Sequence, residues 1–219
     1  MPNPVMPRVP RAEMNPRLQK DYDTALNLRD DATLIEIGAH APELMEWYRE
    51  GFYAKVFYGG RVAVRTKELL RYRLSMTHGC AYCNRGNSDA ARKSGVSDAQ
   101  LAHIMDEHHA VFDACDRAVL KLADQVAMTN QHGHLDRALY AELRAHFDDA
   151  QIFELGMTAG FLTGMAKFIF VYDLVEKEAN CPFQPRARWR LRVSGGAAGP
   201  ARPTPPAKLL VSAAATDSA

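Results

Sequence analysis

Apolar residues recur every three or four positions through the middle of the chain, a spacing typical of helices with one buried face. Separate runs of this kind cover residues 42–58, 68–77, 97–108, 116–128 and 136–147. No stretch combines sustained apolar–polar alternation with enrichment in β-branched residues, which is the pattern of a half-buried strand. The sequence therefore predicts an all-α fold.

Residues with known preferences for helix ends mark several boundaries. Pro42 suits the first turn of a helix. Gly79 interrupts the helical pattern, and a new helical stretch runs from Cys80 to Gly95. The segments 97–100 and 148–151 each pair a capping side chain with a glutamine three residues later, which is the form of a capping box. The second of these boxes precedes a long apolar helix.

Composition divides the chain into three parts. Residues 1–17 hold five of the twelve prolines and no apolar period, so we expect a Pro-rich arm that is either wrapped on the surface or disordered. Residues 191–219 are rich in glycine, alanine and proline, which predicts a flexible tail. The folded helical domain is therefore expected to span residues 18–190.

The stretch 155–175 is nearly long and apolar enough to cross a membrane, but Lys167 and Asp173 interrupt it. Glycines at every fourth position, 156 to 164, place three small residues on one helical face, a spacing that permits close approach of a second helix. We interpret the stretch as a buried helix that another helix or another subunit approaches closely. We therefore expect no membrane span, and we expect a homo-oligomer.

The net charge of +1 provides no general attraction to nucleic acid or anionic membranes. The expected partners are small molecules or other proteins. The first residues lack the apolar core of a secretory signal, so we expect a cytoplasmic protein.

The most specific candidate for chemistry is the pair Cys80 and Cys83 in the segment His-Gly-Cys-Ala-Tyr-Cys that begins at His78. In a reducing compartment two thiols at this spacing form a redox couple or half of a metal site. A cysteine at a helix N-terminus faces unpaired N–H groups and the positive end of the helix dipole, and both favour the thiolate. The remaining reading is an inert pair.

Other chemical residues carry weaker patterns. The histidines at 103, 108, 109, 132 and 134 lack a nearby carboxylate pattern, and no second Cys or Cys/His pair stands at zinc-ligand spacing, so we expect neither a metal nor a cofactor. Aromatic residues in 47–58 are expected to be mostly core, and some of them to line an apolar pocket. Cys115 and Cys181 are expected to be small buried apolar residues.

Glu68 precedes Cys80 by twelve residues, too far for contact on one straight helix. If the chain reverses at Gly79, the residue at position 87 runs back beside Glu68 and also lies one turn after Cys83. A chain of groups from Glu68 through position 87 to Cys83 is then expected, with Glu68 tuning protonation and position 87 carrying protons.

Glu68, the segment Cys80-Ala81-Tyr82-Cys83 and the helix ending at Gly95 resemble the alkylhydroperoxidase-D / carboxymuconolactone decarboxylase superfamily. The resemblance is strongest over residues 61–105. It implies an all-helical fold, trimers or larger rings, and a proton relay of the glutamate, both cysteines and a histidine four residues after the second cysteine. It further implies that Cys83 attacks hydroperoxide and that a lipoyl-bearing partner regenerates the dithiol.

The chain departs from this pattern at the fourth position, where Asn87 replaces the histidine. An amide can orient a water or a thiolate but cannot accept a proton near neutral pH. His78, or a water held by Glu68, is expected to substitute.

The resulting functional prediction is an antioxidant oxidoreductase that reduces organic hydroperoxides or disulfides through Cys80 and Cys83, with Glu68 as a third catalytic residue. A dithiol or a lipoyl-type protein is the expected reductant. The alternatives are a pathway enzyme like the carboxymuconolactone decarboxylases, a non-redox oligomeric binding module, and a zinc-binding module.

Overall fold

A computed structural model of the chain describes residues 1–184, and within that range every regular element is a helix. This confirms the all-α prediction. The α-helices are α1 (Pro16–Arg29), α2 (Thr33–Gly38), α3 (Pro42–Trp47), α4 (Val64–His78), α5 (Ala81–Lys93), α6 (Asp98–Ala102), α7 (Ala114–Val126), α8 (Arg137–Arg144) and α9 (Asp149–Val171). A short 3₁₀ turn, Arg11–Glu13, precedes α1, and a π-helix, Tyr48–Tyr58, follows α3.

Helix α4 lies at the centre of the fold and contacts α5, α7 and α9. Its apolar residues Leu70 and Leu74 join α7, α8 and α9 in the largest buried cluster, which includes Leu122, Leu143 and Leu155. A smaller cluster joins the Cys80 region to the end of α9 and to the segment that follows it. Apolar burial on this scale is the main stabilising term of such a fold.

The N-terminal arm contacts the helices in this structure. The backbone N–H of Val9 donates to the carbonyl of Glu36 at 3.2 Å, and Met14 is buried. Asn15 caps α1 by accepting from the N–H of Leu18, and Pro16 occupies the first helical position. The helical region therefore begins at Pro16, two residues before the predicted boundary. The predicted tail at 191–219, and residues 185–190 of the predicted domain, lie outside the described residues.

Both predicted capping boxes are present, at Ser97 with Gln100 and at Asp148 with Gln151. The helix predicted for 97–108 is shorter than expected, because α6 ends at Ala102 and turns follow. The N–H of Asp106 bonds the carbonyl of His103 and so closes a turn instead of continuing the helix. His108 is consequently exposed and does not share a buried face with Leu101.

Helix α9 is long and apolar enough, by length and composition, to cross a membrane, although one side of it packs on α4 and α7 as in a core helix. Within the single chain only 28% of the most apolar part of α9 is buried, so the predicted approach of another subunit to this helix stays a prediction. A Cβ atom added at Gly156, Gly160 or Gly164 would meet no other heavy atom within 4 Å. Within residues 1–184 no other helix packs directly on these three glycines.

Candidate functional site

The two cysteines lie where α4 turns into α5. Gly79 ends α4 in the left-handed conformation, with φ of 67°, and its N–H donates to the carbonyl of Met76. Glycine adopts this conformation without steric cost. Cys80 then has an extended backbone and caps α5, its Sγ accepting from the N–H of Cys83 at 3.2 Å. The predicted reversal at Gly79 is therefore present.

Cys80 and Cys83 form a disulfide, with Cα atoms 5.2 Å apart. Cys80 has no exposed surface, whereas Cys83 is half-buried. Both residues line a cavity of about 400 Å³. A molecule that enters the cavity therefore has better access to the sulfur of Cys83.

The segment after α9 packs directly against the turn. The N–H of Glu178 donates to the carbonyl of Gly79 at 2.9 Å, and the Sγ of Cys181 donates to the carbonyl of His78 at 3.1 Å. A Cβ atom at Gly79 would lie 2.7 Å from the Cα atom of Cys181. Cys181 is buried, as expected, and Cys115 is half-buried. The segment after α9 therefore holds the backbone of the turn at both His78 and Gly79.

The π-helix forms one wall of the cavity through Tyr48, Tyr53 and Tyr58. Hydrogen bonds in a π-helix join residues five apart, so these three tyrosines follow one another along one face. Phe52 and Phe57 point into the core instead and are buried. The sequence predicted this mixture of core and pocket residues but assigned one uninterrupted helical period to residues 42–58. The change to π geometry at Tyr48 is what brings the three tyrosines together.

Glu68 is fully buried, and Arg71 binds it through an Nε–Oε2 hydrogen bond of 2.9 Å. Its second oxygen, Oε1, has no hydrogen-bond partner among the described residues. Burial raises the pKa of the Glu68 carboxyl, and the adjacent Arg71 guanidinium opposes that rise. Arg71 also lies 4.8 Å from the ring centre of Phe57 and reaches the cavity, whose lining includes Arg71 but not Glu68.

Asn87 is buried and lines the cavity together with Cys83. Within residues 1–184 no hydrogen bond joins the side chains of Glu68, Asn87 and Cys83, since the carboxylate is directed to Arg71. The structure therefore brings Asn87 and both cysteines to one cavity and places Glu68 behind Arg71. The catalytic roles assigned to Glu68, Cys80 and Cys83 stay predictions.

His78 cannot easily take over proton transfer. Its Nε2 accepts a hydrogen bond from the N–H of Met128 at 3.1 Å, so the nitrogen lone pair is already engaged. The ring is almost fully buried, and burial lowers its pKa to about 4. His78 is consequently neutral near pH 7, and its position is that of a buried structural residue that also borders the cavity.

The other histidines do not form a ligand cluster with their neighbours. The rings of His103 and His109 stack with centres 3.6 Å apart. Across the part of the chain that the structure describes, no group of three or more His, Cys, Asp or Glu side chains is arranged to hold a metal ion.

Three positively charged residues of the cavity, Arg29, Arg49 and Arg71, were not predicted from the sequence. Arg71 was detectable in principle, because it stands three residues after Glu68 on the same helix, where opposite charges meet. Arg29 and Arg49 come from α1 and the π-helix, and no local pattern connects them to the cysteines. Only the tertiary packing places them at the cavity.

A known protein family matches the part of the chain that contains α4 and α5. Residues 42–125 match the model of the carboxymuconolactone decarboxylase family. A curated relative, the uncharacterized protein YdfG of Bacillus subtilis (strain 168), is 29% identical over 96 residues, which cover 41% of this chain. The match spans only 61% of that relative's own length.

Solved structures share the fold at low sequence identity. An uncharacterized peroxidase-related protein from Ralstonia eutropha JMP134, described as an alkylhydroperoxidase AhpD core, has a TM-score of 0.64 and 15% identity, covering 82% of this chain and 94% of that one. The apo debrominase Bmp8 also has a TM-score of 0.64, at 17% identity, covering 81% of this chain and 94% of its own. The family match over residues 42–125, the shared fold and the cysteine pair at the α4–α5 turn support the resemblance of this chain to the alkylhydroperoxidase / carboxymuconolactone decarboxylase superfamily.

Proposed function

We propose that the protein is a dithiol oxidoreductase that reduces organic hydroperoxides or disulfides through Cys80 and Cys83. The observation that carries the proposal is a disulfide between two cysteines that both line a cavity, with one sulfur more accessible than the other. A cavity of about 400 Å³ is within the usual range for small-molecule sites. The peroxidase-related description of the fold neighbour is in agreement with this chemistry.

The oxidative half of the reaction begins at Cys83. Its thiolate attacks the terminal oxygen of a hydroperoxide, an S–O bond forms, the O–O bond breaks, and the alkoxide leaves and takes a proton from water. Cys83 is then a sulfenic acid. The sulfur of Cys80 attacks it, the S–S bond forms, and the hydroxyl leaves as water after accepting a proton. The substrate gains two electrons and the dithiol loses two.

The reductive half returns two electrons from an external dithiol, such as a lipoyl group on a partner protein. A thiolate of the reductant attacks the accessible sulfur of Cys83 and displaces Cys80. The departing thiolate of Cys80 stands at the N-terminus of α5 and accepts the N–H of Cys83, so the protein stabilises it as a leaving group. The second thiol of the reductant then releases Cys83 and forms its own disulfide.

We assign Glu68 a positioning role within this mechanism. Its carboxylate holds the Arg71 guanidinium at the cavity, and Arg71 in turn faces the tyrosines of the π-helix. Glu68 therefore tunes the electrostatic potential of the site through Arg71, without itself touching the dithiol. Glu68 therefore remains a functional residue in this proposal, but it acts through Arg71 and not by proton transfer along residue 87.

Turnover assays with paired cysteine variants test the proposal. Consumption of cumene hydroperoxide in the presence of excess dihydrolipoamide should fall to the uncatalysed rate in Cys83→Ser. Without a reductant, Cys80→Ser should consume one equivalent of hydroperoxide and remain as the Cys83 sulfenic acid, because the sulfur that closes the intramolecular disulfide is missing. Cys115→Ser, a half-buried cysteine outside the cavity, is the matched control and should keep full turnover. Turnover that survives Cys83→Ser would contradict the mechanism.

Asn87 predicts slow turnover at neutral pH, because general acid–base catalysis contributes about 10²–10⁴-fold in enzymes that use it. Asn87 is buried beside Cys83 and carries no titratable group. Asn87→His should therefore increase the rate of hydroperoxide reduction. A rate that stays the same or falls in this variant would show that another group already supplies the proton.

The main alternative is a pathway enzyme like the carboxymuconolactone decarboxylases, which would use the same cavity without the dithiol. The match to that family model and the amide at position 87 are the observations in its favour. It predicts an activity that Cys83→Ser leaves intact and that requires no reductant.

We further propose that the protein acts in the reducing cytoplasm and as a homo-oligomer. The open glycine face of α9 is flanked by large exposed apolar residues, among them Phe153 and Met157, which a second copy would cover. A multiple of the 24.4 kDa chain mass in solution is expected, and Gly160→Trp should reduce it. A monomer at micromolar concentration would contradict the oligomer.

A further inference from the structure

Arg29, the last residue of α1, lies directly against the first turns of the helix that carries the dithiol. Its Nη1 donates to the carbonyl of Tyr82, the residue just before Cys83, at 3.0 Å. Its guanidinium carbon lies 4.8 Å from the ring centre of Tyr82. These contacts fix a cation at the same cavity that Cys83 lines.

The absence of a side chain at Gly86 makes room for this cation. A Cβ atom at Gly86 would collide with the Arg29 guanidinium. Gly86 is buried in the middle of α5, where glycine costs about 1 kcal/mol relative to alanine. The helix therefore carries a destabilising residue at a position where an alanine side chain would displace Arg29.

Arg29 differs from the other two arginines of the cavity in having no carboxylate partner. Arg49 pairs with Asp21, and Arg71 pairs with Glu68. Within residues 1–184 no carboxylate oxygen lies within 4 Å of the Arg29 guanidinium, whose one hydrogen bond goes to a neutral carbonyl. The charged side chains that line the cavity, together with Glu68 behind Arg71, thus leave one positive charge uncompensated.

The rest of the cavity is largely apolar. Leu162, Met165 and Ile169 of α9 form the wall across from α1 and the π-helix. A guanidinium with free N–H groups in such surroundings binds carboxylates strongly, because its planar donors match the two carboxylate oxygens and little water competes.

We propose that the cavity selects substrates that combine an apolar body with a carboxylate, and that Arg29 binds this carboxylate while the peroxide or disulfide group reaches Cys83. This inference rests on the proposed dithiol function for the reacting group. It extends that function by naming the substrate class, organic acids that carry a hydroperoxide or disulfide.

A pair of disulfide reagents tests the selection. The reduced protein is mixed with 5,5′-dithiobis(2-nitrobenzoate), which is anionic, and separately with neutral 4,4′-dithiodipyridine, and the released chromophores are followed by stopped flow. Attack by Cys83 breaks the reagent's S–S bond and releases one aromatic thiolate, and Cys80 then displaces the second. The ratio of the two rates measures charge selection and cancels any change in the reactivity of the thiolate.

Arg29→Met should lower the rate with the anionic reagent about tenfold, the value of one charged hydrogen bond, and should change the neutral rate by less than about twofold. Arg29→Lys should retain part of the preference. Lys20→Met removes an unpaired charge from the same helix outside the cavity and should leave the ratio unchanged. Equal slowing of both reagents by Arg29→Met would overturn the inference.

A binding measurement separates this inference from the redox proposal. The oxidised protein is titrated calorimetrically with 4-phenylbutyrate and with its neutral amide, neither of which reacts with a disulfide. The acid should bind about tenfold more tightly than the amide, and Arg29→Met should abolish the difference. Equal binding of acid and amide to the wild-type protein overturns the inference. If the reduced wild-type protein reacts with neither disulfide reagent, the redox proposal fails, and the titration alone decides the role of Arg29.

Discussion

The two ends of helix α4 differ in how their polar groups are satisfied. Between Lys67 and Arg73 the helix buries charged side chains, and each has a partner of opposite charge: Lys67 with Glu154, Glu68 with Arg71, and Arg73 with Asp124. At its C-terminal end the helix has a neutral histidine and a left-handed glycine, and backbone groups supply the hydrogen bonds.

The charged side chains of α4 stabilise the fold, whereas the proposed redox pair lies at the end of the helix that has no ion pairs of this kind. The ion pairs connect α4 to α7 and α9 and hold it in the core, where an unpaired charge is costly. The dithiol instead depends on backbone geometry, since an N–H group and a helix N-terminus stabilise the sulfur of Cys80. Four substitutions probe this division.

The largest effect on stability is expected in the charged part of α4, between Lys67 and Arg73. Glu68→Met leaves the buried Arg71 cation without its partner and should lower the free energy of unfolding by about 4 kcal/mol. The double variant Glu68→Met/Arg71→Met removes both charges and should recover most of the loss. Chemical denaturation measures both. A single variant as stable as the wild type, or losses that simply add, would contradict a coupled buried pair.

His78, at the C-terminal end of α4, should make the stability of the protein sensitive to acid. Its pKa is about 4 in the folded protein, against about 6.5 for an unfolded histidine, so below pH 6.5 the unfolded chain binds a proton that the folded chain does not. The contribution to stability is complete above pH 6.5 and is lost as the pH falls toward 4, by about 3 kcal/mol at most. His78→Gln can still accept the Met128 N–H and should flatten this part of the curve. An unchanged pH dependence would contradict burial of a neutral ring.

Gly79 tests the backbone of the turn. Gly79→Ala introduces a Cβ atom in a left-handed residue and 2.7 Å from the Cα of Cys181, and should cost about 2 kcal/mol. Gly95→Ala is the matched control, because Gly95 also has positive φ but has open space around it. Thermal unfolding should show a smaller loss for Gly95→Ala. Equal losses would mean that the contact with Cys181 adds nothing to the cost of a Cβ atom at Gly79.

The smallest effect is expected at Cys181. Cys181→Ala removes one hydrogen bond to the carbonyl of His78 and should cost about 1 kcal/mol, measured by chemical denaturation. The Cys80–Cys83 disulfide should still form in this variant. Loss of that disulfide in Cys181→Ala would show that Cys181 takes part in thiol exchange.

Local patterns were sufficient to predict most of the helices and the turn. The apolar period, the two capping boxes and Gly79 each depend on residues within a few positions of one another, and the structure confirms them. The change to a π-helix at Tyr48 and the early end of α6 at Ala102 were missed, because apolar spacing does not reveal which carbonyl each N–H selects.

The site was predictable only in part. The sequence indicated Cys80, Cys83 and Asn87 near one another, because all three lie on adjacent turns of one helix. It did not indicate that Glu68 would bind Arg71 in preference to residue 87, nor that Arg29 would reach Tyr82 from a helix 53 residues away in sequence. Such choices depend on packing between elements that are distant in the chain.

The central claim is that Cys80 and Cys83 exchange reversibly between dithiol and disulfide when an oxidant enters the cavity. The most direct measurement is a thiol count on the fully reduced protein before and after one equivalent of cumene hydroperoxide, with the disulfide located by peptide mass spectrometry. We expect four free thiols to fall to two, with Cys80 joined to Cys83 and with Cys115 and Cys181 still reduced. Four thiols that persist after the oxidant is added, or a disulfide between any other pair, would contradict the account.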